Sequence, residues 1–213
     1  MSVEVKICGL KNPAAMDAAV KAGADLVGLN FFPKSPRYVT PQEAAALASM
    51  VANRVIRTGL FVNPETTQLE RILADVPLDL LQLHGDEPPD RVAEIRSRFG
   101  LPVMKVIKVT EEADLAAVKN YEEVADRIMF EPKTPKGADR PGGNAVAFDW
   151  TILQGFRSEK PWMLAGGLTP DNVATAIRLT GAPGVDTASG VEDAPGVKNE
   201  QKMRQFVEAA RKR

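Results

Sequence analysis

The sequence predicts an α/β fold, a closed (β/α)8 TIM barrel formed as a single domain over residues 1–213. Three observations lead there. Short runs of β-branched and aliphatic residues recur eight times. Segments with helical periodicity and capping signals lie between them. The 213 residues divided over eight units leave roughly 27 per unit, the length of one strand, one helix and two short connections. A doubly wound open sheet has the same alternation and is the structural alternative.

The strand runs are 3–7, 25–31, 55–61, 79–83, 103–109, 127–130, 162–165 and 185–187. Each is short and almost continuously apolar, as strands buried on both faces of a parallel sheet must be. The first helix opens at Asn12-Pro13, with Ala15, Ala19 and Val20 on its apolar face. The second opens at Thr40-Pro41, where Thr40 is a fit N-cap and Glu43 completes a capping box. The third opens at Asn63-Pro64, ahead of Leu69, Ile72 and Leu73. The fourth follows Asp86–Asp90 and is stopped by Gly100. Thr110 precedes a fifth, carrying Leu115 and Val118, and a weaker sixth starts near Phe148-Asp149-Trp150. Thr169-Pro170 opens the seventh, which runs to Gly181. The last runs from about Val197 to the end, and its terminal Arg211-Lys212-Arg213 complements the negative end of the helix dipole.

Composition excludes several function classes. Lys+Arg number 27 against 28 Asp+Glu, a net charge of −1, so nothing draws the chain in bulk to nucleic acid or an anionic membrane. One cysteine cannot close an internal disulfide, and one Cys with one His cannot build a metal cluster without several carboxylates. The N-terminus lacks the basic and long apolar regions of a secretory signal, and no apolar run approaches the ~18 residues of a membrane span. A cytoplasmic protein is expected.

In a barrel the chemistry sits where strands end. Cys8-Gly9 follow the first strand, and Arg37 lies in the long turn after the second. His84 follows the fourth, Glu131 the sixth, Gly166-Gly167 the seventh and Ser189-Gly190 the eighth. The glycines are the clearest signal. Loops after the last two strands of a barrel commonly hold phosphate through bare backbone N–H groups. Gly142, Gly143 and Asn144, in the Pro- and Gly-rich stretch 131–147, offer a third wall and a lid.

Cys8 points to a thiol base if its surroundings favour thiolate, and otherwise to a small buried hydrophobe. Glu131 offers a general acid facing it, or else is an ordinary solvated charge of the lid. Arg37 presents a planar fork suited to a ligand carboxylate, or else forms an ion pair. His84 is a structural group or a substrate contact. Asp186, inside the last strand, must be paired or at the rim.

Several motifs together resemble phosphoribosylanthranilate isomerase of the tryptophan pathway. They are Lys6-Ile7-Cys8-Gly9, Asn30-Phe31-Phe32 with Ser35-Pro36-Arg37, Gln82-Leu83-His84-Gly85, Pro141-Gly142-Gly143-Asn144 with Phe148-Asp149-Trp150, Ala165-Gly166-Gly167-Leu168, and Asp186 with Ser189-Gly190-Val191-Glu192. The resemblance runs in order over nearly the whole chain. It implies a barrel working without metal or cofactor on a small phosphoribosyl substrate, as a monomer or homodimer, by an Amadori rearrangement. It further implies Cys8 as general base, Arg37 at the anthranilate end, and phosphate on the glycines. Two positions depart from the family pattern: Glu131 stands where Asp is usual, and Ala145 where glycine is usual. Alternatives are the related histidine-pathway isomerase, which uses Asp at the position of Cys8, and a phosphoribosyl-ligand binder without activity.

Overall fold

The computed structural model describes residues 2–133 and 149–212. Eight parallel strands close into a barrel in sequence order: β1 (Glu4–Cys8), β2 (Leu26–Asn30), β3 (Ile56–Phe61), β4 (Leu80–Leu83), β5 (Val103–Val109), β6 (Arg127–Pro132), β7 (Trp162–Leu164) and β8 (Gly184–Thr187). β8 pairs back onto β1 with Lys6 opposite Asp186, which excludes the open sheet. Side chains of alternate phase fill the barrel or meet the helices. Leu26, Leu80, Met104, Val106, Met129 and Met163 pack inside it, while the larger core lies between strands and helices.

The expected strands at 25–31 and 79–83 each begin one residue too early, for one reason. Asp25, Asp79 and Asp126 stand just before β2, β4 and β6. Each accepts the backbone N–H at or near the start of the preceding strand, from Val5 at 2.8 Å, Arg57 at 2.8 Å and Val103 at 2.9 Å. These carboxylates stitch the rim opposite the strand ends that carry Cys8 and Glu131, where a barrel keeps its stability.

The helices are α1 (Pro13–Ala22), α2 (Pro41–Met50), α3 (Thr66–Asp75), α4 (Pro89–Phe99), α5 (Val173–Thr180) and α6 (Glu200–Arg211). The Thr40/Glu43 capping box forms, and Gly100 ends α4 at φ 64°. Five expectations need correction. α3 does not open at Asn63: that residue sits at φ 46°, with its N–H on Glu87 Oε1 and its Oδ1 accepting from Asp86, so it fastens two loops. The fifth helix is 3-10, Glu112–Asn120. Its apolar Leu115 and Val118 are three apart, the spacing that eclipses in a 3-10 turn. Thr169–Asn172 form a turn, since Asn172 accepts from Thr169 N at 2.8 Å and donates to Gly167 O at 2.9 Å. Val197–Lys198 are not helical: they form β10, antiparallel to β9 (Glu192–Ala194), and Asn199 caps α6. The weak sixth helix is a 3-10 turn, Trp150–Leu153.

Candidate active site

All the sequence-predicted residues within the described range lie at or near one end of the barrel, where β-strands run out. Cys8 closes β1, in the same inward phase as Lys6. Both are buried. Lys6 Nζ donates to Asp186 Oδ1 at 2.8 Å, so the aspartate that had to be paired is paired. Burial alone would push the Lys6 ammonium down; the Asp186 carboxylate and the Cys8 sulfur outweigh it and hold it above the usual lysine range. For Cys8, burial pushes the thiol up; Lys6 and Lys198 pull against this, Asp186 adds to it, and the net direction is up. At rest Cys8 is therefore a thiol.

The backbone beneath Cys8 is tight. A Cβ on Gly28, its register partner, would sit 2.7 Å from Sγ, and one on Gly9 (φ 77°) would sit 2.5 Å from Arg37 Cδ. Glycine is required at both places for sulfur and guanidinium to approach the mouth.

Arg37 forms the ion pair that the sequence left open. Its fork is not open to a ligand: Nε and Nη2 donate to the two oxygens of Glu192, both at 2.8 Å, in a buried bidentate pair. Lys198 Nζ donates to the same Glu192 at 2.7 Å and to Ala188 O at 2.8 Å. The cluster thus holds Lys6, Arg37 and Lys198 against Asp186 and Glu192. Fully ionised it carries one surplus positive charge. Two groups can relieve it, Cys8 by ionising or Lys198 by giving up the proton that burial already loosens.

On the other side of the mouth, Glu131 ends β6 next to Pro132. Its Oε2 lies 2.6 Å from His84 Nε2. Gln82 Nε2 lies 3.2 Å from His84 Nδ1 and donates to Met129 Sδ at 3.6 Å. His84 is thus a buried partner of the candidate acid. Its loop is held from behind: Glu87 accepts from Gly85 N and Asn63 N, and Lys105 Nζ donates to Glu87 Oε2 at 2.7 Å and Gly85 O at 2.7 Å.

The paired glycines stand on consecutive loops. Gly166 and Gly167 have φ 88° and 66°, backbone that favours glycine. Gly190 meets the neighbouring loop so closely that a Cβ would lie 1.9 Å from Leu168 O, and Thr187 Oγ1 donates to that oxygen at 2.8 Å. Ser189 and Gly190 open a short 3-10 turn. Gly142, Gly143, Asn144 and Ala145, with the expected lid, lie outside the described residues.

No role was read from the sequence for Lys6, Glu87, Lys105, Glu192 or Lys198, although Lys6 and Glu192 stand in motifs that carry the resemblance. Two had a signal. Lys6 stands two residues before Cys8 on a strand, hence on the same face, and Lys105 interrupts an apolar run. Lys198 had none and Glu192 only its place in a family motif, because their burial depends on the hairpin folding over Arg37. Among the described residues, no group of three or more His, Cys, Asp or Glu could hold a metal, and no helix is long and apolar enough to cross a membrane.

The family model described as N-(5'phosphoribosyl)anthranilate (PRA) isomerase matches residues 5–209. The chain is 57% identical over 211 residues to the N-(5'-phosphoribosyl)anthranilate isomerase of Paramagnetospirillum magneticum, covering 99% of this chain and 98% of that one. Its fold superposes on crystalline phosphoribosyl anthranilate isomerase from Thermotoga maritima at a TM-score of 0.87, with 36% identity and 98% of each chain covered. A third relative is a phosphoribosyl anthranilate isomerase crystallised in complex with reduced 1-(o-carboxyphenylamino)-1-deoxyribulose 5-phosphate. It is 34% identical, with a TM-score of 0.83 and 98% of each chain covered.

Proposed function

The chain belongs to the N-(5'-phosphoribosyl)anthranilate isomerase family of tryptophan biosynthesis, and from that premise we propose that Cys8 and Glu131 perform an Amadori rearrangement across the barrel mouth. The substrate is N-(5-phosphoribosyl)anthranilate and the product 1-(2-carboxyphenylamino)-1-deoxyribulose 5-phosphate. Glu131, as a carboxylic acid, gives its proton to the furanose ring oxygen. The bond from that oxygen to C1 breaks, and the anthranilate nitrogen supplies its lone pair to form an iminium. The Cys8 thiolate then takes the proton from C2, leaving an enolamine. Tautomerisation places a proton on C1 and the carbonyl at C2.

The observation that carries this reading is a sulfur and a carboxyl group ending β1 and β6 of one closed barrel, each in inward phase at the same rim. The surplus positive charge around Lys6, Arg37 and Lys198 supports a thiolate during turnover, although burial keeps the resting thiol protonated. It also suits a substrate carrying a carboxylate and a phosphate. The Nη1 edge of Arg37 faces the anthranilate carboxylate in this reading, with Asp186 steering Lys6 beside Cys8. The phosphate lies on Gly166, Gly167, Ser189 and Gly190. His84 acts through Glu131.

The test is steady-state loss of substrate fluorescence in Cys8→Ala and Glu131→Gln. General acid–base groups contribute roughly 10²–10⁴-fold, so each variant is expected to lose at least about 100-fold in kcat. An unchanged rate in both would defeat the assignment.

A further inference from the structure

Lys198 is a buried side chain that the rearrangement does not use. It ends the β9–β10 hairpin, and its side chain is 1% exposed. The backbone around it is held: Asn199 N donates to Val191 O at 2.9 Å, and Lys202 Nζ to Glu192 O at 2.8 Å. The turn of the hairpin lies on the Arg37 loop, where a Cβ on Gly196 would come within 2.6 Å of Pro36 O. From that base Lys198 Nζ donates to two acceptors, Ala188 O at 2.8 Å and Glu192 Oε1 at 2.7 Å. Each contact fixes something beyond itself. Ala188 stands just before Ser189-Gly190, at φ −126° and ψ −73°, neither helical nor extended. The peptide bond joining it to Ser189 is planar and trans, so its carbonyl and the Ser189 N–H point in opposite directions. Pinning the oxygen to Lys198 therefore turns that N–H away from the hairpin. Glu192 in turn accepts from Arg37 Nε and Nη2, both at 2.8 Å, which fixes the guanidinium in plane and in rotation.

We propose that Lys198 is a positioning residue that sets both ends of the substrate site at once: it orients the Ser189 N–H for the phosphate and, through Glu192, the Arg37 guanidinium for the anthranilate carboxylate. The distance between two anions on one ligand is then matched by a span that a single side chain fixes. Without Lys198 the Ala188–Ser189 peptide plane can rotate and its donor is lost to the phosphate. Glu192 keeps Arg37 paired, but the pair is no longer tied to the Ser189 loop. No proton transfer is asked of Lys198. Burial loosens its proton, yet two N–H groups serve the two acceptors whether or not the amine carries a third. The inference rests on phosphate lying on Ser189-Gly190 and the carboxylate on Arg37, and the experiment tells the two failures apart.

Lys198→Met removes the donors and leaves the remaining charges even, with Arg37 on Glu192 and Lys6 on Asp186, so the fold is expected to survive. Protein labelled with ¹⁵N-serine is titrated with inorganic phosphate, the Ser189 amide being assigned by its loss in Ser189→Ala. Binding of 2-aminobenzoate is followed separately by its own fluorescence. In the parent, phosphate should move the Ser189 N–H downfield. In Lys198→Met that movement should disappear, and the dissociation constants of both probes should rise by about 3- to 10-fold, the worth of one ordinary hydrogen bond. A general loosening of the fold would not single out one amide. Lys198→Gln, with a shorter arm, gives the same readout should the methionine variant not fold. A Ser189 shift that survives in Lys198→Met, or a parent-like dissociation constant for either probe, overturns the proposal while the site reading stands. A parent whose Ser189 amide ignores phosphate, or an Arg37→Gln that binds 2-aminobenzoate as the parent does, overturns the site reading and the proposal with it.

Discussion

Asp186→Asn is the perturbation that the barrel interior makes most informative. Lys6 is wholly buried, 0% exposed, and its ammonium rests on Asp186 Oδ1 at 2.8 Å. Asparagine preserves the shape and removes the charge. Taking one partner from a buried ion pair costs about 3–5 kcal/mol, because the other charge is left in a medium that solvates it poorly. With a urea dependence of about 2 kcal/mol per molar, that moves the unfolding midpoint down by roughly 2 M. The pair's contribution holds through neutral pH. Lys6 is held above the ordinary lysine value of 10.5, so the stabilisation is complete below that value and fades only as pH rises through the folded one. Replacing both partners, as Lys6→Met with Asp186→Leu, should recover much of the lost stability but not the activity, since well-packed apolar pairs often match buried ion pairs. The variant has a second, opposite effect. The Asp186 carboxylate helps hold the Cys8 thiol up, so Asp186→Asn should move the alkaline rise in kcat/KM to lower pH. The assays are urea titration by fluorescence and a pH–rate profile. A midpoint within a few tenths of a molar of the parent refutes the reasoning, since it means that Lys6 has found other solvation.

Four further outcomes are expected. Burial holds the Cys8 thiol above its ordinary range, so kcat/KM should climb with pH through and beyond that range; a profile flat from neutrality upward would exclude Cys8 as base. The same raised thiol contributes stability below its unfolded value that is lost as pH rises through the folded one, and Cys8→Ser should flatten that dependence in urea titrations at a series of pH values. Glu131→Asp withdraws the carboxyl by one methylene from the His84 contact at 2.6 Å, and a misplacement of ~1 Å costs up to about 100-fold in kcat; parent-like turnover would show the longer arm to be immaterial. Gly190→Ala forces a Cβ to 1.9 Å from Leu168 O, so both loops must shift. Overpacking of this kind costs about 1–3 kcal/mol, which calorimetry should read as a melting point lower by several degrees, with weaker product binding.

The strands were legible because burial on both faces writes itself as short apolar runs, and the helices because their caps are local. Thr40 with Glu43 and Gly100 formed as expected for that reason. What misled were residues whose bonding is not local. Asp25 and Asp79 read as strand starts but reach across to the neighbouring strand, and Asn63 read as a helix start but ties two loops. The glycines and Cys8 were visible as strand-end residues, yet strand ends do not say what packs against them. Arg37 was noticed for its fork, and nothing in its neighbourhood announced Glu192, 155 residues away.

The order of hydrophobic runs, turns and caps determined by itself that this chain alternates strand and helix eight times, since periodicity and capping act within a few residues. Motifs at successive strand ends were enough to suggest the family. Only the closed barrel decided that Lys6 meets Asp186, that Glu192 closes on Arg37 and Lys198, and that Gln82 and Glu131 take opposite sides of one imidazole. The physical reason is that charges repelled by an apolar interior accept whichever partner the closing sheet brings within reach. That choice is a property of three-dimensional register and not of sequence spacing.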